Sequence, residues 1–221
     1  MGQMIFPNLC VCCAGYLGGQ EEFICDLCNY TLPRFEQFEK KDNQVAQVFW
    51  GRVRLESATS LLQFSAKGDV QKVLHEIKYK GNTLLGIYMG EWMGRIIKDK
   101  QLFSGVDYIV PLPLHPKKEL LRGYNQAELL ARGMCNTLSQ PMAKDLLIRI
   151  KHNSTQTKKH RYERFINTTE IFAVLDSDKL KGKHILLVDD VITTGATIEA
   201  AANVLLNVEG VRVSVLSLAR A

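Results

Sequence analysis

No apolar run in this 221-residue chain is long enough to span a bilayer. The N-terminus, Met1-Gly2-Gln3-Met4-Ile5-Phe6, lacks a basic stretch followed by an apolar one, which argues against a secretory leader. Phe6 also stands where an N-myristoylation signal wants Ser or Thr. These absences predict a cytoplasmic protein. No Gly-Lys-Ser/Thr closes a G-x₄ spacing, so there is no Walker loop, and the lack of a G-x-G-x-x-G disfavours a dinucleotide fold. The five histidines (75, 115, 152, 160 and 184) show no metal-ligand spacing. What remains, 46% hydrophobic and 23% charged, is ordinary for a globular protein. The length allows one α/β domain plus a small accessory module.

The net charge of +5 is unevenly spread. Residues 111–165 hold 11 Lys/Arg against 4 Asp/Glu, a local +7, so the rest of the chain sums to −2. Such a concentrated excess suits a phosphate-rich partner. A solvated basic face without a ligand is the competing reading. Aromatic residues interleave the stretch only at Tyr124, Tyr162 and Phe165, so support from base stacking is modest.

Residues 1–33 are Cys-rich and short of helical periodicity, and 34–50 read as a polar connector ending in Phe49-Trp50. Residues 51–64 alternate loosely enough to predict a short hairpin. Val70, Val73, Leu74 and Ile77 recur at helical spacing, with Gly81 as a stop. Leu84 to Ile97 give a second amphipathic helix whose Met89, Trp92 and Met93 suit a core. Beyond Gly105, strands are predicted at Tyr108–Val110, Leu146–Ile150, Ile171–Leu175, His184–Val188 and Val211–Leu218. Helices fall between them, one capped by Asn125 and one over 197–208. That alternation predicts an α/β fold with a parallel sheet. His184–Val188 shows no polar alternation, so it should be central and covered on both faces. The polar, basic stretch 151–168 reads as a functional loop or as disorder. The expected division is a metal module over 1–33, a linker, hairpin and helical hood over 34–100, and the α/β domain over 101–221.

Ile185–Thr197 reads I-L-L-V-D-D-V-I-T-T-G-A-T. A buried strand delivers Asp189 and Asp190 at its C-terminal end, where open α/β sheets bind ligands. Thr193, Thr194, Gly195, Ala196 and Thr197 then turn into a helix whose N-terminal amides favour an anion. Two adjacent carboxylates cannot hold the phosphate itself. They can accept hydrogen bonds from vicinal hydroxyls and help hold Mg²⁺. Phosphate on one side and a diol on the other describe a ribose 5-phosphate. Asp189 and Asp190 are therefore the candidate catalytic residues, and Val191 and Ile192 with the five turn residues are the candidate contacts. The competing reading, two aspartates that merely cap a turn, leaves the Thr-rich turn unexplained.

Cys10-x₂-Cys13 and Cys25-x₂-Cys28 form two C-x-x-C pairs, each able to grip one metal through a tight knuckle. Four Cys ligands imply a structural Zn²⁺ with no open position. A redox dithiol or disulfides are the alternatives; the doubled pairing and the predicted cytoplasmic setting favour zinc. Cys12 reads as a bystander, and Cys135 as a core residue.

The segment Val188–Thr197 resembles the PRPP (phosphoribosyl pyrophosphate) loop of type I phosphoribosyltransferases. The wider chain resembles the ComF family, competence-associated proteins with a phosphoribosyltransferase domain. The matching segments are the Cys pairs, Lys78-Tyr79-Lys80-Gly81, Val110–Pro116, Arg122–Ala131, and Gln156 with Arg161 and Arg164 before Phe172. The resemblance implies a type I phosphoribosyltransferase fold, PRPP with Mg²⁺ as ligand, and Lys117, Arg122 and Arg161 beside the leaving pyrophosphate. It implies that 151–168 is a lid. It also implies a role in DNA uptake, with single-stranded DNA and the competence helicase machinery as partners. Purine-salvage members carry an Asp base where Thr193 stands, and threonine is a poor general base, so 6-oxopurine salvage is disfavoured. A lid lysine, Lys158 or Lys159, is an alternative base. Two functions follow: a PRPP-binding protein that handles incoming single strands, or an active transferase moving the phosphoribosyl group to an unidentified nitrogen nucleophile.

Overall fold

The computed structural model describes residues 8–150 and 171–221. In chain order these form α1 (Asp26–Thr31), α2 (Gln44–Gln47), β1 (Ser57–Gln63), α3 (Asp69–Tyr79), α4 (Thr83–Asp99), β2 (Tyr108–Pro111) and α5 (Pro116–Arg122). There follow α6 (Gln126–Leu138), β3 (Leu147–Arg149), β4 (Phe172–Val174), α7 (Ser177–Leu180), β5 (His184–Ile192), α8 (Ala196–Leu206) and β6 (Arg212–Arg220). No described helix is long and apolar enough to cross a membrane.

Four strands make one parallel sheet in the order β1-β6-β5-β2. The unbroken apolar run of β5 has the expected consequence. It lies between β6 and β2, and its alternate side chains enter two separate cores. Leu186 and Val188 pack with α3, α4 and α6 on one face; Ile185 and Leu187 pack with α8 on the other. Val70, Val73, Leu74 and Ile77 of α3 are all buried, as are Met89, Trp92 and Met93 of α4. Burying side chains of that size stabilises the fold by about 1.5–3 kcal/mol each.

Two expectations are corrected. Residues 51–64 form no hairpin: the segment contributes the single edge strand β1, paired parallel with β6 from Ser57↔Ser214 to Gln63↔Arg220. The run Ala58–Leu62 is buried throughout, and a strand covered on both faces has nothing to gain from folding back on itself. The strands predicted at 146–150 and 171–175 are not part of the parallel sheet. As β3 and β4 they pair antiparallel with each other. They are three residues each, too short to extend a sheet core, and they flank the undescribed stretch 151–170. The connector 34–50 is also integral: α2 packs on β1, and Phe49 is 1% exposed within the α8-side core.

Helices α4 and α6 approach almost backbone to backbone. Gly86, Gly90 and Gly94 recur every fourth residue of α4 and meet Leu129, Leu130 and Thr137 of α6. Gly133 of α6 fits against the Ile87 carbonyl in return. This contact ties the helical layer to the sheet, because α6 also packs on β2 and β5.

Candidate functional site

β5 continues past Val188 to Ile192, so Asp189 and Asp190 stand inside the strand. Alternation sends them to opposite sides. Asp190 is 5% exposed and faces α3, where Lys78 Nζ lies 2.9 Å from its Oδ2. That contact has ion-pair distance without hydrogen-bond angles, so Asp190 Oδ2 is buried with no hydrogen-bond donor among the described residues. Asp189 Oδ1 accepts from the Asp190 N–H at 2.8 Å. Burial first, and then the adjacent Asp190 charge, push the Asp189 carboxyl up from 3.8 to about 8; the Asp190 N–H and Lys78 only partly oppose this. At neutral pH Asp189 therefore keeps its proton and Lys78 matches Asp190; when Asp189 gives up that proton the site holds two carboxylates against one ammonium. It fits a cation or a set of hydroxyl donors.

The turn that follows is held from behind. Arg52 donates to the Thr194 carbonyl at 2.8 Å and pairs through Nε with Glu199 of α8 at 3.0 Å. Arg220 donates to the Thr193 carbonyl at 2.7 Å. With these carbonyls tied back, the exposed hydroxyls of Thr193 and Thr194 stay on the open side. Among the described residues the N-cap of α8 makes no side-chain capping bond, and the contact to its first amide is a long one, Ala196 N–H to Thr194 Oγ1 at 3.5 Å. Its first-turn amides are therefore left without a side-chain cap, the condition under which a helix N-terminus can accept an anion. Ala196 is exposed and Thr197 half-buried at this end. Val191 and Ile192 stand differently: both belong to the strand, and their side chains pack into the two cores.

Gly195 adopts φ +74°, and a Cβ there would lie 2.8 Å from Phe49 Cε1 and 2.9 Å from Val48 Cγ1. The turn thus needs glycine for its backbone and for the packing of the connector. Gly195→Ala is expected to cost about 1–2 kcal/mol from the left-handed backbone alone, with the Phe49 contact added. Chemical denaturation showing a loss below about 0.5 kcal/mol, the range of unremarkable surface changes, would contradict this.

Of the expected basic contacts, Arg122 is half-buried, with its guanidinium 5.6 Å from the Tyr79 ring centroid and bonded to Gln126. Lys117 is exposed on α5, a short helix that reading by periodicity leaves as loop; it makes no ion pair with Asp189 or Asp190 among the described residues. Arg161, Lys158, Lys159, Gln156, Arg164 and the proposed lid lie outside the described residues. Lys78, Arg52 and Arg220 are the site residues that sequence reasoning did not place there.

The Sγ atoms of Cys10, Cys13, Cys25 and Cys28 all lie within 4.8 Å of one another, a cluster that can hold a metal ion. Burial works against ionisation of Cys10, yet backbone N–H groups of Cys13, Cys25 and Cys12 outweigh it and bring the thiol down to about 6. A thiol so disposed ionises at neutral pH, as a metal ligand must, while Cys28, pushed up first by burial, and Cys25, also raised, would need a cation to do so. Cys12 is buried, and burial foremost, then Asp69, push its thiol up to about 12. Cys135 is half-buried in α6. The module rests on α4: Trp92 Nε1 donates to Asn29 Oδ1 at 3.1 Å, and Arg34 lies 4.3 Å from the Trp92 ring centroid. Lys72 of α3 bonds the Cys12 carbonyl.

Residues 123–221 match the model of the phosphoribosyl transferase domain. Competence protein ComFC of Bacillus subtilis is 29% identical over 207 residues, 90% of this chain and 78% of that protein. Competence protein F of Haemophilus influenzae is 33% identical over 114 residues, 51% of this chain and 50% of that protein. DNA utilization protein YhgH of Escherichia coli is 31% identical over 151 residues, 67% of this chain and 66% of that protein. The chain belongs to the ComF family. The matched length is half of the Haemophilus protein and about two thirds of the Escherichia protein. Among solved structures, an adenine phosphoribosyltransferase aligns at 13% identity over 68% of this chain and 75% of that one, with a TM-score of 0.41. A superposition that loose carries no weight beside the sheet topology.

Two segments far apart in this ComF chain meet beside the carboxylate pair. Tyr124 Oη donates to the Ile77 carbonyl at 2.6 Å, in the last turn of α3, and Arg122 lies over Tyr79. Asn125 caps α6 at the Ala127 N–H (3.0 Å) and donates to the Leu112 carbonyl at 3.0 Å. Lys78-Tyr79-Lys80-Gly81 and Arg122-Gly123-Tyr124-Asn125-Gln126 therefore form one unit, and that unit delivers Lys78 to Asp190.

Proposed function

We propose that this ComF protein binds PRPP with Mg²⁺ and acts in the handling of single-stranded DNA during DNA uptake. The observation that carries the ligand is the Asp189–Asp190 pair, served by the single cation Lys78, standing beside the N-terminus of α8, which has no side-chain cap. The helix terminus suits the 5-phosphate. Asp190 Oδ2, buried without a donor, suits a ribose hydroxyl or a hard cation. Bound Mg²⁺ would neutralise pyrophosphate oxygens. The residues of this chain have separate tasks: Arg52 and Arg220 orient the turn, Lys78 balances Asp190, and the Thr193 and Thr194 hydroxyls are free to donate to phosphate. The DNA role rests on the basic excess of 111–165 and on the likeness to proteins named for competence and DNA utilization. No base stands at Thr193, so activating an acceptor would fall to another residue, with Lys158 and Lys159 of the stretch 151–168 as the alternatives.

Calorimetric titration with PRPP and Mg²⁺ is expected to give one saturable site. Affinity for single-stranded DNA should fall linearly in log K against log salt. Absence of PRPP binding removes the ligand reading, and absence of salt-sensitive DNA binding removes the partner. Pyrophosphate release with a panel of bases and amines would establish the other function, an active phosphoribosyl transfer to nitrogen.

The four-Cys cluster is assigned to structural Zn²⁺, and the protein is assigned to the cytoplasm, where such thiols stay reduced. Zinc in small Cys modules contributes about 10–16 kcal/mol of folding free energy. Chelation is expected to release one zinc per chain and to free the module from α4. Trp92 would then lose its Asn29 and Arg34 contacts, and its emission should shift to the red. Metal analysis finding no zinc in freshly purified reduced protein would refute the assignment.

A further inference from the structure

The Asp190 oxygen that a ribose hydroxyl or a cation would have to touch is covered in this structure. Asp190 Oδ2 is buried, with no hydrogen-bond donor among the described residues. Lys78 Nζ stands 2.9 Å from it, and the Lys78 side chain is 22% exposed against 7% for Asp190. Lys78 is therefore the member of the pair that reaches solvent. With no surface open on Oδ2, nothing can bind it until a neighbour moves. Asp190 is fixed within β5, whose pairing with β6 brackets it at Asp189↔Ser217 and Val191↔Ala219. The last turn of α3 is fixed as well: Ile77 is buried, its carbonyl accepts from Tyr124 Oη at 2.6 Å, and Arg122 lies over the Tyr79 ring. What is left to move is the Lys78 side chain, an ammonium on a flexible stem.

The other cations of the site are committed elsewhere. Arg52 is bound to Glu199 and the Thr194 carbonyl, and Arg220 to the Thr193 carbonyl. If Lys78 leaves, Asp190 needs another cation or donor, because a buried carboxylate stripped of its partner is costly. The displaced ammonium in turn needs a new anion. A divalent cation alone meets only the first need. A cation that arrives with a phosphate-bearing molecule meets both.

We infer that Lys78 is a removable plug on Asp190, one that keeps free divalent cations out and yields when cation and phosphate arrive together. The inference rests on the PRPP and Mg²⁺ reading of this site, yet its main test needs no PRPP. Mn²⁺ binding to the zinc-loaded full chain is followed by loss of the free-ion electron paramagnetic resonance signal. With Mn²⁺ alone, Lys78→Met is expected to bind at least about tenfold more tightly than the wild type. Lys78→Arg, which keeps the charge, should stay near the wild type. Asp190→Asn in the Lys78→Met background should remove the gain. Lys80→Met takes the same charge from an exposed side chain paired with Glu76, where solvent screens it, and should alter affinity by less than about twofold. Equal Mn²⁺ affinity in the wild type and Lys78→Met overturns the inference, as does an equal gain in Lys80→Met. A further arm needs no Lys78 variant: saturable binding of Mn²⁺ alone by the wild type below about 0.1 mM, lost in Asp190→Asn, also overturns it. PRPP added to the wild type should strengthen Mn²⁺ binding. If it does not while Lys78→Met still gains, the plug stands and PRPP is not the molecule that lifts it.

Discussion

Asp189→Asn together with Asp190→Asn is expected to weaken PRPP binding at least about 100-fold while making the ligand-free protein more stable at pH 8. The two effects share one cause. Each carboxylate is expected to accept charge-assisted hydrogen bonds from hydroxyls or to touch a cation, and losing such a bond costs about 1.5–3 kcal/mol. Two losses correspond to about two to four decades in affinity. In the free protein the same carboxylates repel each other across a buried strand. Asp189, with its carboxyl raised from 3.8 to about 8, binds a proton in the folded state that the unfolded chain has released. Its contribution to stability is complete below pH 4 and is lost as the pH rises through about 8. Denaturation midpoints of the wild type should therefore fall between pH 5 and 8, and the double variant should show a flatter profile. An unchanged PRPP affinity in the variant refutes the role given to the pair. A wild-type profile as flat as the variant's refutes the raised pKa.

Gly90→Ala and Gly133→Ala are each expected to cost about 3 kcal/mol, the upper part of the overpacking range. A Cβ on Gly90 would stand 2.1 Å from the Leu130 carbonyl oxygen. One on Gly133 would stand 2.0 Å from the Ile87 oxygen and 2.6 Å from the Glu91 nitrogen. The obstacles are backbone atoms of the facing helix, which cannot rotate away, so α4 and α6 must separate along their length. A protein with about 5–15 kcal/mol of total stability loses a large share of it. For a chain of this size the melting temperature should drop by roughly 6–12 °C. Gly18→Ala is the control: it has no neighbour within 4 Å and should change stability by less than about 0.5 kcal/mol. Calorimetry that finds Gly90→Ala and Gly18→Ala alike would show that the two helices can part without cost. Because α4 also carries the Cys module through Trp92, the Gly90 variant should release zinc more readily as well.

Ile185–Thr197 announces itself because the strand, the carboxylates, the threonines, the glycine and the helix start are contiguous. Local geometry follows from local order: an apolar run, an αL turn and a helix N-terminus each occupy a few residues and need no distant partner. The Cys pairs are legible for the same reason, since a C-x-x-C knuckle is a local shape and the doubling supplies the second half of a tetrahedron. The parallel sheet was also legible, from helices alternating with unpatterned apolar strands.

Other parts were open to none of these readings. Arg52 reaches Thr194 across 142 residues, and an arginine in a polar connector looks like any solvated one. Lys78 could be grouped with its neighbours in the chain but not placed on Asp190. The Gly86-Gly90-Gly94 row reads as helix-weakening glycine until α6 lies against it. β3 and β4 carry strand residues, yet only their mutual pairing shows that they stand apart from the main sheet. The sequence by itself determined the strand-to-helix turn after Asp190, the paired Cys knuckles and the fold class, because each is written in short-range spacing. The tertiary structure alone decided which charges neutralise the carboxylate pair and which arginines hold the turn. It also decided how close two helices run, because those depend on where distant stretches of chain arrive, and periodicity carries no record of that.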